Sequence, residues 1–132
     1  MPNIAMENNK SITTIYSEEK IKSYSQILLE ELGEIVEVKK EEQLINTIGI
    51  NSSGIAYIAK IMDILEEDLK NKNYNEEEIK KKSLNVIKGY LSQREKYSNK
   101  EIINKISTPN GITEKGIEKL NQNKEKIKDF FK

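Results

Sequence analysis

Two short segments carry the residue types best suited to binding a small anion. Asn51–Tyr57 opens a long amphipathic run, and Ser107–Thr113, which contains Pro109 and Gly111, precedes another. Hydroxyl groups and free backbone N–H groups at a helix N-terminus can hold an anion without a formal positive charge. Each segment is therefore a candidate anion site at the start of a helix.

The same residues also have a purely structural interpretation. A hydroxyl side chain at Ser53 or Thr113 can simply cap its helix, and the Ser53-Gly54 pair can let two helices approach closely. Tyr57 begins an apolar helical stripe, which favours a place in the core over a catalytic role. Asp63 lies among apolar neighbours and suits either a buried position at a dimer seam or a solvated one. Both interpretations of the two segments stay open from the residues alone.

The amino-acid composition excludes several kinds of chemistry. The 132 residues include no cysteine and no histidine, which removes disulfides, thiol nucleophiles, imidazole bases and the usual nitrogen and sulfur zinc sites. No metal site and no catalytic side chain is predicted. The 22 basic and 22 acidic residues balance, and Arg94 is the only arginine. Because nucleic-acid binders usually carry a basic excess, we expect no nucleic-acid partner.

Length and hydropathy predict a water-soluble chain. At 132 residues it is long enough to form a hydrophobic core without disulfides. No stretch approaches the ~18 apolar residues that span a bilayer, and no signal peptide is recognisable. We therefore expect a cytoplasmic protein with no membrane partner.

The first 38 residues have a strand–helix–strand pattern. Ser11–Tyr16 is rich in β-branched residues, and Glu34–Val38 alternates in polarity, so both are predicted strands. Ser17 is expected to cap the helix between them and Gly33 to end it. A βαβ unit normally lies inside a larger parallel sheet, since two strands alone leave exposed edges. The beginning of the chain therefore looks like the end of a larger domain.

The rest of the chain is predicted to be helical. Apolar periodicity and capping residues indicate helices beginning near Glu41, Ser53, Asn75, Ser98 and Thr113. Gly49–Ser52 is expected to interrupt the helical pattern between the helix that begins near Glu41 and the helix that begins near Ser53. Asn75 with Glu78, and Ser98 with Glu101, have the spacing of capping boxes.

In order and spacing, these segments resemble the C-terminal half of the pyrroline-5-carboxylate reductase family. Met1-Pro2-Asn3 is similar to the family's Met-Pro-Asn-Thr-Pro segment, and Asn51–Tyr57 is similar to its Ser-Gly-Ser-Gly-Pro-Ala-Tyr run. Thr108–Thr113 resembles its Ser-Pro-Gly-Gly-Thr-Thr loop. The sequence departs from these motifs at Ile4, Ala5, Ile55 and Asn110.

The resemblance implies a mainly α fold. Residues 41–132 are implied to form a helical dimerisation domain, and residues 1–40 a short βαβ remnant of a dinucleotide-binding sheet. In the family the helices of two subunits interleave, and the substrate pocket forms where the subunits meet the nicotinamide. The implied partner is thus a second copy in a homodimer or larger homo-oligomer, together with a nucleotide-binding half where that lies on a separate chain.

The resemblance also implies site residues. Asn3 is implied to contact the cofactor. The implied substrate-binding residues are Ser53, Gly54, Thr108, Gly111 and Thr113. The family's cofactor is NADPH or NADH, but the Gly-rich turn that binds its pyrophosphate has no counterpart in this sequence. We therefore expect no cofactor to bind this chain alone.

Two functions follow from these observations. The first is the dimerisation and substrate-site region of a pyrroline-5-carboxylate reductase-like oxidoreductase of proline biosynthesis, inactive alone. That family transfers a hydride from NADPH or NADH to the C=N bond of 1-pyrroline-5-carboxylate, with positioning and the cofactor supplying the chemistry. The alternative is a non-catalytic helical dimerisation or interaction module descended from that enzyme.

Overall fold

The computed structural model describes residues 3–17 and 24–130, which form a small parallel sheet followed by a series of helices. A 3-10 helix, Ile4–Asn8, leads into β1 (Ser11–Ile15), and β2 (Gly33–Glu37) pairs with β1 in parallel from Ser11 opposite Gly33 to Ile15 opposite Glu37. The helix α1, Tyr24–Glu30, joins the strands. The predicted mainly α fold with a βαβ segment is confirmed. The first turns of the helix that was predicted to follow Ser17 lie outside the described residues.

Gly33 has a different role from the predicted one. The helix α1 ends at Glu30, and Gly33 is the first residue of β2 with a φ of 141°. A Cβ at this position would collide with the backbone of Ser11, its partner in the sheet. Glycine is therefore required here by the close approach of two strands and by the positive φ, and not as a helix cap.

The run that follows the sheet forms three successive helices. They are α2 (Glu41–Asn46), α3 (Ile48–Asn51) and α4 (Gly54–Lys70). The predicted break at Gly49–Ser52 is only partly correct: an interruption falls at Ser52-Ser53, but Gly49 lies within α3, and a further interruption falls at Thr47. The Thr47 hydroxyl donates to the Leu44 carbonyl at 2.9 Å, which satisfies a carbonyl at the end of α2.

The expectation that no segment is long and apolar enough for a bilayer also needs correction. The helical run Glu41–Lys70, 30 residues with the interruptions included, passes that test by length and composition. Such a run is weak evidence for a membrane, since helices that are covered by protein pass the same test. Its apolar surface nevertheless requires some covering.

Four helices complete the described chain. They are α5 (Glu76–Arg94), α6 (Asn99–Ile106), α7 (Ile112–Gln122) and α8 (Lys124–Asp129). The two predicted capping boxes are confirmed: Asn75 and Glu78 exchange hydrogen bonds of 2.9 and 3.1 Å, and Ser98 and Glu101 form the equivalent pair before α6. These helix starts are thus fixed by local residues.

Very little apolar side-chain surface is buried within the chain. The chain forms two compact units, Met1–Ile61 and Met62–Lys132, and the division falls within α4. Among the described residues the buried apolar side chains are Ile79 and Ile102, on α5 and α6. The predicted domain boundary at residue 40 stays a prediction.

The capping box of α6 gives a pH-dependent prediction. The Ser98 hydroxyl and backbone N–H both donate to the Glu101 carboxylate, at 2.7 and 2.8 Å, and hold the pKa of Glu101 below its usual value, with Lys105 helping. Because the folded-state pKa is lowered, this contribution to stability is present above the unfolded pKa and is lost as the pH falls through the folded one.

We expect Ser98→Ala to raise the pKa of Glu101 towards its ordinary value. Ser92→Ala, an exposed serine within α5, is the control and should leave it unchanged. Carboxyl-carbon NMR titration measures both. An unchanged Glu101 titration in Ser98→Ala would show that the box does not set this pKa.

Candidate functional site

A cavity of about 500 Å³ opens between the 3-10 helix and the first turns of α4. Its apolar lining residues are Ile4, Met6, Ile55, Ala56 and Ala59. Asn3, Glu7 and Ser52 supply its polar groups. Of the residues predicted to bind ligands in this unit, Asn3 lines the cavity, whereas Ser53 and Gly54 lie between two lining residues without lining it. The cavity suits a small, largely apolar ring with few polar contacts.

Asn3 is held by four hydrogen bonds within the chain, one of which its carbonyl accepts from the Met6 N–H at 3.1 Å. Its Oδ1 accepts from the Ala5 N–H at 3.0 Å, its Nδ2 donates to the Asn51 carbonyl at 2.5 Å, and its backbone N–H donates to the Ser11 hydroxyl at 3.0 Å. An asparagine amide offers two N–H donors and two lone pairs on its oxygen. One donor and one lone pair therefore remain for any further partner. Its predicted contact with a cofactor stays a prediction.

The sequence predicts for Asn51 only a place in the turn before α4, yet in the structure this residue connects distant elements. Its carbonyl accepts from Asn3, and its Nδ2 donates to the Thr14 hydroxyl at 2.5 Å. Thr14 lies on β1, 37 residues earlier, and is 2% exposed. Residue type gave no signal of this contact, because an asparagine before Ser-Ser-Gly reads equally well as a local turn residue.

The second predicted segment forms a tight turn before α7. The Gly111 N–H donates to the Thr108 carbonyl at 2.9 Å, Pro109 is the second residue of the turn, and Asn110 has a φ of 62°. These are the features of a type II turn, which accepts asparagine in its third position. The positive φ therefore belongs to Asn110 and not to the glycine, since the φ of Gly111 is −76°. Glycine is needed there because a Cβ would lie against the Thr108 side chain and 2.9 Å from its carbonyl.

Thr113 does not cap α7 as predicted. The cap residue is Gly111, which has no side chain to offer, so Thr113 is the second residue of the helix. The Glu114 carboxylate instead folds back and accepts from the Asn110 N–H at 2.7 Å. Because the Gly111 N–H is already used by Thr108, Glu114 reaches one residue further back than in a capping box. The turn that was expected to bind a ligand carboxylate thus holds one from its own chain.

Large apolar side chains face solvent on most helices of the single chain. On α4 they are Ile55, Ile58, Ile61, Ile64 and Leu65. On α7, Ile112 is 93% exposed and Leu120 is 56% exposed. Apolar surface on this scale usually marks an interaction site. Tyr57 is half-buried, and Asp63 is exposed, which leaves its placement at a seam or in solvent open.

Comparisons with known proteins agree on one family. The family described as pyrroline-5-carboxylate reductase dimerisation matches residues 41–130. The pyrroline-5-carboxylate reductase of Helicobacter pylori is 30% identical over 127 residues, which are 91% of this chain and 48% of that protein. The chain spans about half the length of this relative.

Solved structures show the same fold. A pyrroline carboxylate reductase from Plasmodium falciparum, solved with NADP bound, superposes with a TM-score of 0.83 and 24% identity over 97% of this chain and 55% of its own. A pyrroline-5-carboxylate reductase from Coxiella burnetii gives a TM-score of 0.79 and 21% identity over 99% of this chain and 50% of its own. The 1-pyrroline-5-carboxylate reductase of Streptococcus pyogenes gives a TM-score of 0.79 and 18% identity over 92% of this chain and 49% of its own.

Asn110 and Gly111, the third and fourth residues of the Thr108 turn, should respond differently to substitution. Gly111→Ala places a Cβ against Thr108 and should destabilise the chain by more than about 1 kcal/mol. Asn110→Gly should be tolerated, because glycine adopts a positive φ without strain. Chemical denaturation measures both effects. Equal unfolding midpoints for the two variants would contradict the steric role given to Gly111.

Proposed function

The chain belongs to the pyrroline-5-carboxylate reductase family through its dimerisation region, and on that premise we propose that it supplies the dimerisation and substrate-site half of such an oxidoreductase in proline biosynthesis. It works as a homodimer or larger homo-oligomer in the cytoplasm, joined to a nucleotide-binding half. It is inactive without that half.

The observation that carries this proposal is the accessible surface of the single chain. Its area is 11222 Å² for a mass of 15.3 kDa. Two separate compact globules of half that mass would together expose about 8,600 Å². The accessible surface of the chain exceeds this value by about 2,600 Å², which is at least as large as the roughly 1,000–2,500 Å² that each subunit of an obligate dimer buries. A second copy is the partner that the family match favours.

The residues around the cavity suit only one end of a nicotinamide cofactor. Apolar side chains such as Ile4 and Ile55 can pack on a flat ring, and Asn3 keeps one N–H and one lone pair for it. Neither the cavity nor the sequence supplies a Gly-rich turn for the phosphates. We therefore assign NADPH or NADH to the nucleotide-binding half and expect none to bind these 132 residues alone.

The substrate half of the proposal places a carboxylate at the Thr108–Thr113 turn. Backbone N–H groups at the start of α7 have no side-chain cap, and the helix dipole favours an anion there. The Ser107 hydroxyl, next to the turn, is buried without a hydrogen-bond partner among the described residues. Glu114 must release the Asn110 N–H before a substrate carboxylate can use it.

The same Glu114 contact favours the second candidate, a non-catalytic dimerisation module. A carboxylate supplied by the chain itself satisfies the turn without any ligand. In that case Thr108, Gly111 and Thr113 shape a helix start, and Ser53 and Gly54 do the same for α4. The two candidates agree on dimerisation and differ on ligand binding.

Two glycines in exposed helix interiors test the dimer. A Cβ added at Gly89 or at Gly116 would meet nothing within 4 Å in the single chain. Gly116 lies between Ile112 and Leu120 on one stripe of α7, whereas Gly89 lies between Asn85 and Gln93 on α5. An alanine at either position favours the helix by about 1 kcal/mol. If a second copy packs on the α7 stripe, Gly116→Ala should overfill the contact and weaken the dimer by roughly tenfold.

Gly89→Ala is the matched control and should stabilise the chain without weakening the dimer. Sedimentation equilibrium gives the dissociation constants. Equal behaviour of the two variants would remove the α7 stripe from the interface.

A proline titration separates the two candidate functions. With a substrate site, millimolar proline should shift the amide resonances of residues 110–114 in the assembled protein. Glu114→Gln should then raise proline affinity several-fold because it removes the competing charge, while Glu118→Gln, one turn further along α7, should not. Unmoved amides in the parent chain and in Glu114→Gln would leave only the dimerisation module.

A further inference from the structure

We infer that Asn51 is a positioning residue of the candidate site, which holds the start of α4 in register with Asn3 and with β1. The inference rests on the proposed function, since it concerns residues that function would use. It is carried by the hydrogen bonds that meet at Asn51 and by the place of Asn51 in the chain.

Asn51 connects three elements around the cavity. Its side-chain N–H donates to the Thr14 hydroxyl on β1, and its carbonyl accepts from the side chain of Asn3, both at 2.5 Å. Asn3 in turn caps the 3-10 helix through Ala5 and lines the cavity. One residue at the end of α3 therefore ties the strand, the 3-10 helix and the approach to α4 together.

The position of Asn51 sets the residues that follow it. The N–H groups of Ser52 and Ser53 both donate to the Ile48 carbonyl, at 3.0 and 3.2 Å, so this turn is closed onto α3. The Tyr57 N–H then donates to the Ser53 carbonyl at 3.0 Å as α4 starts. A displacement of the end of α3 is thus passed directly to Ser53 and Gly54.

Burial makes the Thr14 contact costly to lose. Thr14 is 2% exposed, and the other hydroxyl within reach, that of Thr47, lies 3.4 Å away and also donates to the Leu44 carbonyl. Removing the Asn51 amide takes one directional hydrogen bond from a buried hydroxyl, so the native contact favours one arrangement of the turn. Asn3 therefore contributes to the site through Asn51, whatever it contacts in addition.

The neighbouring threonines of β1 provide a matched pair for the test. Thr13 is also 2% exposed, but its hydroxyl has no hydrogen-bond partner among the described residues. Thr14→Val and Thr13→Val each replace a hydroxyl by a methyl group of similar size. Asn51→Ala removes the donor itself, and its side chain is only partly buried, so that variant is informative should Thr14→Val fail to fold.

The amide resonances of Asn3, Ser52, Ser53 and Gly54 are the first readout, taken on the 132-residue chain. Asn51→Ala and Thr14→Val should shift the same amides, and the double variant should shift them no further. Thr13→Val should leave them in place. Shifts of equal size in Thr13→Val, or none in Asn51→Ala, would overturn the inference.

Kinetics of the chain assembled with a nucleotide-binding half is the second readout. Asn51→Ala should lower kcat for imine reduction about tenfold or more while the KM for NADPH stays within about twofold, because misplacement affects the reacting geometry. An unchanged kcat would also overturn the inference. If the parent assembly has no reductase activity, the proposed function fails, and the amide shifts still decide whether Asn51 sets the start of α4.

Discussion

The chain exposes more apolar surface than a single copy can keep in water. Its described helices are apolar on faces that nothing within the chain covers, and Ile79 and Ile102 are the only apolar side chains among them that are buried. Hydrophobic burial is the main favourable term in folding, so burying these apolar faces against another subunit would stabilise the folded chain. Together with the match to a dimerisation family, this supports the proposal that the helical part forms one side of a core shared between copies.

Local interactions fix where several helices begin. Capping boxes at Asn75 and Ser98 fix where α5 and α6 begin, and the turn at Thr108 fixes where α7 begins. Lys72 and Asp68 pair across one helical turn on the surface, a contact that stabilises a helix only slightly. Such interactions specify the ends of helices and leave their apolar faces free, which suits helices that pack on another subunit.

The sheet segment is held together differently, by polar groups. Ser11, Thr13 and Thr14 are its fully buried side chains, where a strand in a larger sheet usually carries valine or isoleucine. Two of these hydroxyls are partnered by Asn3 and Asn51. The geometry of the cavity beside α4 thus depends on a few directional hydrogen bonds and not on a large apolar core.

Features that depend on residues close together in the sequence could be predicted, whereas features that depend on residues far apart in the sequence could not. The two strands and the two capping boxes depend on residues close in sequence, and they were predicted correctly. Gly33 was assigned to a helix end because its requirement comes from Ser11, 22 residues earlier in the chain. In the Thr108 turn the residue types were informative, but the positive φ belongs to Asn110 and the steric demand to Gly111. The contacts of Glu114 with Asn110 and of Asn51 with Thr14 were not predicted, because residue types alone do not show which groups the folded backbone brings together.

The mass of the chain in solution tests the central claim most directly. Sedimentation equilibrium over micromolar concentrations should give at least twice 15.3 kDa, with a thermal unfolding midpoint that rises with protein concentration, since association stabilises the folded chain. A mass of one chain at every concentration, together with cooperative unfolding that does not depend on concentration, would contradict the account.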